Sequence, residues 1–112
     1  MAAVEDVRVE ALLLELGDLL EAAEDEWIGA VGLLLEYDAE HQTQLAETLR
    51  VWLDNFGDTV RAATTVHVHP NTFRYRLRRL AEIAGLDLED ADERFAAMLQ
   101  LRLMSLRGAM AR

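Results

Sequence analysis

Cysteine is absent from the 112 residues, proline occurs once, at Pro70, and serine once, at Ser105. Without cysteine there is neither a disulfide framework nor a thiolate metal site, and a single serine leaves little from which to build a Ser-His nucleophile. No constellation of residues points to an enzyme, and no cofactor, metal or small-molecule site is expected. Lysine is missing too, so every basic side chain is arginine. That could reflect selection for forked contacts to phosphate and guanine, but a genome of biased base composition gives the same pattern, together with the abundant alanine.

Long apolar runs are also missing. The stretch from Trp27 to Leu35 includes two glycines and is bounded by Glu26 and Glu36, well short of a bilayer span. The first ten residues set Glu5, Asp6 and Glu10 against Arg8 alone, the reverse of the basic start of a secretory signal. A cytoplasmic protein without a membrane anchor is expected. Its length allows one compact domain, or a helix-turn-helix of about sixty residues with a helical arm.

The net charge of −10 looks wrong for a nucleic-acid binder, whose usual footprint is basic. Its distribution reverses that impression. Residues 1–47 hold thirteen acids and one arginine, whereas residues 48–112 hold eight acids and ten arginines, giving −12 and +2. No acid lies between Asp58 and Glu82, the interval that carries Arg61, Arg74, Arg76, Arg78 and Arg79.

Apolar residues recur at three- and four-residue spacings with little alternation, which predicts an all-α chain. Helices are expected at about 4–22, 26–37, 44–56, 58–66, 70–84 and 90–107. The division expected is an acidic helical arm over 1–43, for dimerisation or as the link to a sensory domain, and a helix-turn-helix over 44–112. In the first helix Leu12, Leu13, Leu14, Leu16, Leu19 and Leu20 point round most of the circumference, so it needs burial on more than one side. The polar run Asp38 to Gln44 reads as a joint. Leu45, Leu49, Trp52, Leu53 and Phe56 then form one stripe that ends at Gly57, a residue suited to a helix terminus. In the last helix Phe95, Met98, Leu99 and Leu106 share a side with Arg102, which there calls for a carboxylate partner.

Asp58 is a good N-cap for a short helix that places Val60, Ala63 and Val66 inward. That helix stops within VHVH, and the next starts at His69-Pro70, where proline suits the first helical position. Two helices separated by three or four residues define a helix-turn-helix. On the second, Phe73, Leu77, Leu80 and Ala84 share one face, opposite Asn71, Tyr75, Arg78 and Glu82 flanked by Thr72 and Arg79. Asparagine can bond adenine and arginine guanine in the major groove, and base edges are met by the N-terminal part of such a helix. Asn71, Thr72, Tyr75 and Arg76 are thus the base-reading candidates, with Arg74, Arg78 and Arg79 on phosphates. Periodicity and charge alone also admit a solvated face, or a protein-interaction or dimerisation module that keeps the fold without specific DNA binding.

Other clusters have simpler explanations. His67 and His69 with His41 could offer imidazoles to zinc, but structural zinc takes four ligands with cysteine prominent, and His69 can cap the helix or touch a phosphate. Glu24 to Glu26 and Glu89 to Glu93 look like helix starts, with Asp90 and Glu93 at capping-box spacing.

The run from Thr48 to Leu103, with VHVHPNTFRYRLRRL and DNFGD as its most specific parts, resembles the C-terminal helix-turn-helix of the PucR family of bacterial transcription regulators. Its core also resembles the Fis type of DNA-binding motif, and the preceding LLLEYDAEHQTQLAETL is similar to the approach in that family. The resemblance implies an all-helical, Fis-like bundle that binds double-stranded DNA, works as a homodimer and follows a sensory region. By correspondence His69, Asn71, Thr72, Arg74, Tyr75, Arg76 and Arg79 take the contacting positions. Two departures stand out: Phe56 occupies a place where the family often has a small residue, and no recognisable sensory domain precedes the arm.

Overall fold

The computed structural model describes residues 4–22 and 29–110, and within them there are six helices and no strand. They are α1 (Val4–Ala22), α2 (Gly29–His41), α3 (Leu45–Asp54), α4 (Thr59–Thr65), α5 (Pro70–Ala84) and α6 (Ala91–Met110). The expected start of the second helix near residue 26 lies outside the described residues. Its end falls at His41, so most of the segment read as a polar joint is helix.

Asp38 explains why the chain can turn so tightly there. From inside α2 its carboxylate accepts from the Leu45 and Ala46 backbone N–H groups at 2.8 and 3.0 Å and from the Thr43 hydroxyl at 2.5 Å. It thereby satisfies donors that the start of α3 would otherwise leave open, and Gln44, at the N-cap position, does no capping.

Four successive helices end in the same way. After α2, α3, α4 and α5 the chain enters the left-handed region at Gln42 (φ 58°), Phe56 (57°), His67 (58°) and Gly85 (62°). In each case the following N–H returns to a carbonyl five residues back: Thr43 to Asp38, Gly57 to Trp52, Val68 to Ala63 and Leu86 to Ala81. This is the Schellman closure, which usually employs glycine. Here glycine supplies one of four. Phe56, not Gly57, terminates α3, and the left-handed backbone swings its ring off the stripe, leaving it 90% exposed. Gly57, itself at φ 77°, must stay small because a Cβ there would sit 3.3 Å from the Trp52 ring.

The core is built where α3 and α5 meet α2 and α4. Leu49, Phe73, Leu80, Val31, Leu34, Ala62 and Ala63 are fully buried, and Leu77, Leu45 and Leu53 nearly so. Each large apolar side chain here contributes about 1.5–3 kcal/mol relative to exposure. Ala62 and Ala63 have no bulk to hold α4 away from α5. Val60 does not point inward as expected; it is exposed, because Ala62, Ala63 and Val66 take the face toward the core.

Against this unit α6 packs a different face from the one its leucines suggest. Ala97, Gln100 and Leu103 are buried, while Phe95 is exposed. Gln100 joins this face to α2: its Oε1 accepts from the Val31 N–H at 3.3 Å, so α6 caps the start of α2. Gly29 leaves room, since a Cβ there would lie 2.8 Å from that oxygen. Arg102 finds the expected carboxylate, Asp54, at 3.3 Å, but its side chain is 59% exposed. Asp54 also pairs with Arg50, which holds Glu47. The Arg50 guanidinium, by hydrogen bond and charge, keeps the Glu47 carboxyl below its ordinary value.

Among the described residues α1 packs on α6 alone. Leu12, Leu14 and Leu19 remain exposed, so the described residues do not supply the second side of burial that its composition demands.

Candidate nucleic-acid interface

The α4–turn–α5 unit is pinned at both ends by side chains read from the sequence. The Asp58 carboxylate accepts from the Arg61 N–H at 3.0 Å. His69 caps α5, its Nδ1 accepting from the Asn71 N–H at 3.0 Å, with Pro70 following in the first turn. Between the helices, His67 in the left-handed conformation makes the turn. His69 thus has a structural role in the cap and His67 one in the turn. His41 lies elsewhere, stacked on Tyr37 with ring centroids 4.0 Å apart.

On α5 the apolar stripe Phe73, Leu77 and Leu80 is buried, and every proposed contact except half-buried Arg76 is exposed. The polar surface divides into two flanks at helical spacing. One carries Asn71, Arg74 and Arg78, with Arg74 Nη1 donating to Asn71 Oδ1 at 2.9 Å. The other carries Thr72, Tyr75, Arg76 and Arg79 and faces the junction of α2 and α3 across a groove of about 590 Å³.

The arginines differ in how far they are already engaged. Arg79 donates to the Tyr37 hydroxyl at 3.4 Å, lies 5.8 Å from the centre of that ring and approaches Glu82 at 3.5 Å. The Tyr37 hydroxyl is the chief reason its guanidinium titrates above the ordinary arginine value. Among the described residues, the Arg61, Arg76 and Arg78 guanidinium groups have no hydrogen-bonded or ion-paired partner. A surface helix bearing unpaired cations beside an amide, a hydroxyl and a phenol is chemically fitted to a duplex, whose groove walls are phosphate and whose floor offers donors and acceptors.

The α5 contact residues named from the sequence lie on its exposed surface or, for Arg76, at its edge; Tyr37 was not among them. It stands 42 residues from the arginine it holds, and no local pattern reports such a contact.

Residues 45–103, from the first residue of α3 into α6, match the PucR C-terminal helix-turn-helix domain. The chain belongs to that family. It is a DNA-binding domain of transcription regulators. The chain is 33% identical over 70 residues to the DNA-binding transcriptional activator AdeR of Bacillus subtilis, covering 62% of this chain and 17% of that protein. It is 36% identical over 74 residues to the proline-responsive transcriptional activator PutR of the same organism, covering 66% of this chain and 18% of the relative. The carbohydrate diacid regulator of Escherichia coli is 34% identical over 59 residues, 53% of this chain and 15% of its own length. The chain thus spans under a fifth of the length of these three relatives. No solved structure matches it significantly. No helix among the described residues is long and apolar enough to cross a membrane.

Proposed function

We propose that the chain binds double-stranded DNA sequence-specifically, with α5 in the major groove, to regulate transcription in the cytoplasm. The observation that carries this is α5 itself: its apolar face is fully used in the core, while its other surface presents Asn71, Thr72, Tyr75 and Arg76 toward its N-terminal end. Those four are assigned to base edges, and Arg74, Arg78 and Arg79 to phosphates, with His69 capping beside them. The described part of the arm over 1–43 is read as docked on the 44–112 unit, α2 against α3, α5 and α6 and α1 against α6.

We assign the working form to a homodimer. One helix-turn-helix offers few base contacts, and an acidic chain gains little from general attraction to DNA. The exposed leucines of α1 and the groove of about 720 Å³ that Val9 and Leu13 share with Phe95, Met98 and Leu106 supply an apolar face for a second copy. A two-fold dimer would set two α5 helices in successive major grooves about 34 Å apart.

A mobility-shift titration tests the reading. The purified chain should shift random duplex DNA at low salt, release it as salt rises, and select a nearly palindromic site from a random pool. A chain that leaves duplex DNA unshifted at low salt would refute it.

A further inference from the structure

The groove beside α5 has a composition that the rest of the molecule does not lead one to expect. The chain carries 21 acids against 11 basic residues, yet the groove is lined by Tyr37, Gln42, Gln44, Tyr75, Arg76 and Arg79, with only Thr43, Leu45 and Thr72 besides and no acid. Asp38, within the α2–α3 corner, is turned inward onto three donors, and Glu82, outside the lining, approaches Arg79 at 3.5 Å. Gln44 is exposed and its side chain does no capping. Gln42 is exposed too, held in a left-handed turn by the Schellman closure, with its amide only weakly engaged at 3.4 Å by the Ala39 carbonyl.

A helix lying in the major groove has a phosphate backbone on each side. With α5 read as the DNA-binding helix, Arg74 and Arg78 meet one of them and Arg79 the other, which brings that second backbone to the groove between α5 and the α2–α3 corner while Asn71, Thr72, Tyr75 and Arg76 stay on base edges. Tyr37 sets the geometry there. Its ring stacks on the His41 imidazole and has the Arg79 guanidinium 5.8 Å from its centre, and His41 Nδ1 donates to the Tyr37 carbonyl at 3.1 Å. An arginine held in this way loses less side-chain freedom on meeting a phosphate than one that moves freely.

We propose that the DNA interface extends beyond the helix-turn-helix to the α2–α3 corner, where the Gln42 and Gln44 amides donate to one phosphate backbone and Tyr37 is the positioning residue for Arg79. The proposal rests on the reading of α5 as the DNA-binding helix. It places part of the contact surface in the segment before residue 45, outside the matched family domain.

The test uses the whole chain and a duplex recovered by selection from a random pool, with phosphate-ethylation interference and affinity measured across salt. Gln42→Gly with Gln44→Ala keeps the left-handed turn and removes both amides. Binding should weaken about tenfold at every salt concentration, with an unchanged salt slope because the lost groups are neutral. Interference should vanish at the phosphates beside the corner and persist elsewhere. Tyr37→Phe should weaken binding severalfold in the parent background and not at all when Arg79→Ala is already present, with the melting temperature of each variant measured alongside. If the interference pattern survives the double substitution, the corner is not in the interface, while the α5 reading stands. If Tyr37→Phe has the same effect with and without Arg79, Tyr37 is structural only and the positioning role falls. A parent chain that shows no interference on any selected duplex removes the α5 reading and this inference together.

Discussion

Arg78 offers the cleanest test of how the chain meets DNA, because it is exposed, lies on the flank away from Tyr37 and has no partner to lose. Suppose Arg74, Arg78 and Arg79 each meet a phosphate in a dimer, about six contacts in all. The slope of log affinity against log salt is then about −5.4, so raising salt from about 50 to about 200 mM weakens binding roughly 2,000-fold. Arg78→Ala removes one contact per chain and two per dimer, which brings the slope to about −3.6 and the same loss to roughly 150-fold. The loss should be uniform across DNA sequences, since a phosphate contact carries no base information, and the fold should be unaffected. Fluorescence anisotropy on one labelled duplex at five or six salt concentrations reads both quantities. Arg50→Ala is the control: that arginine sits on α3 between Glu47 and Asp54, and the slope should stay at the parent value. An Arg78→Ala protein with parent affinity and parent slope would take Arg78 off the interface; one that alters preference at a single base pair would make it a base reader instead.

Leu80 is fully buried, so Leu80→Ala should cost about 2–5 kcal/mol in chemical denaturation; an unmoved midpoint would mean that the faces of α5 are rotated from those described. Phe56 combines a left-handed backbone with a 90% exposed ring, and Phe56→Gly should stabilise the chain by about 0.5–1 kcal/mol once the greater freedom of glycine in the unfolded state is allowed for. A marked loss of stability there would instead show the ring to be covered in the assembled protein. Glu47 titrates below its ordinary value through Arg50, so its contribution is present above the unfolded-state pKa and is lost as pH falls through the lower folded-state value. Glu47→Gln should therefore cost under about 1 kcal/mol at neutral pH, as exposed pairs do, and the difference from the parent should disappear in acid; a gap that persists there would assign the effect to packing rather than charge.

Much of the fold was legible in the residues because it depends on local chemistry. The three-and-four spacing of Phe73, Leu77 and Leu80 fixes which side of α5 is buried, and Asp58 and His69-Pro70 fix where two helices start, because a cap acts within three residues of itself. The same spacing determined the polar surface of α5 and hence the candidate contacts with DNA. What depends on distant partners was not legible. The α6 face that packs carries Ala97, Gln100 and Leu103, not the Phe95 and Leu99 pattern, because its partners, among them the Val31 N–H, lie on helices far away in the sequence. Phe56 left its stripe because the helix before it closed on a left-handed residue, and nothing in the period of the leucines marks that point. Sequence by itself thus determined which helices form and which face of α5 is free. Only the tertiary structure decided how α6 is rotated, that Asp38 starts α3 from within α2, and that Tyr37 reaches Arg79, because each of these is a contact between residues whose own neighbours carry no trace of it.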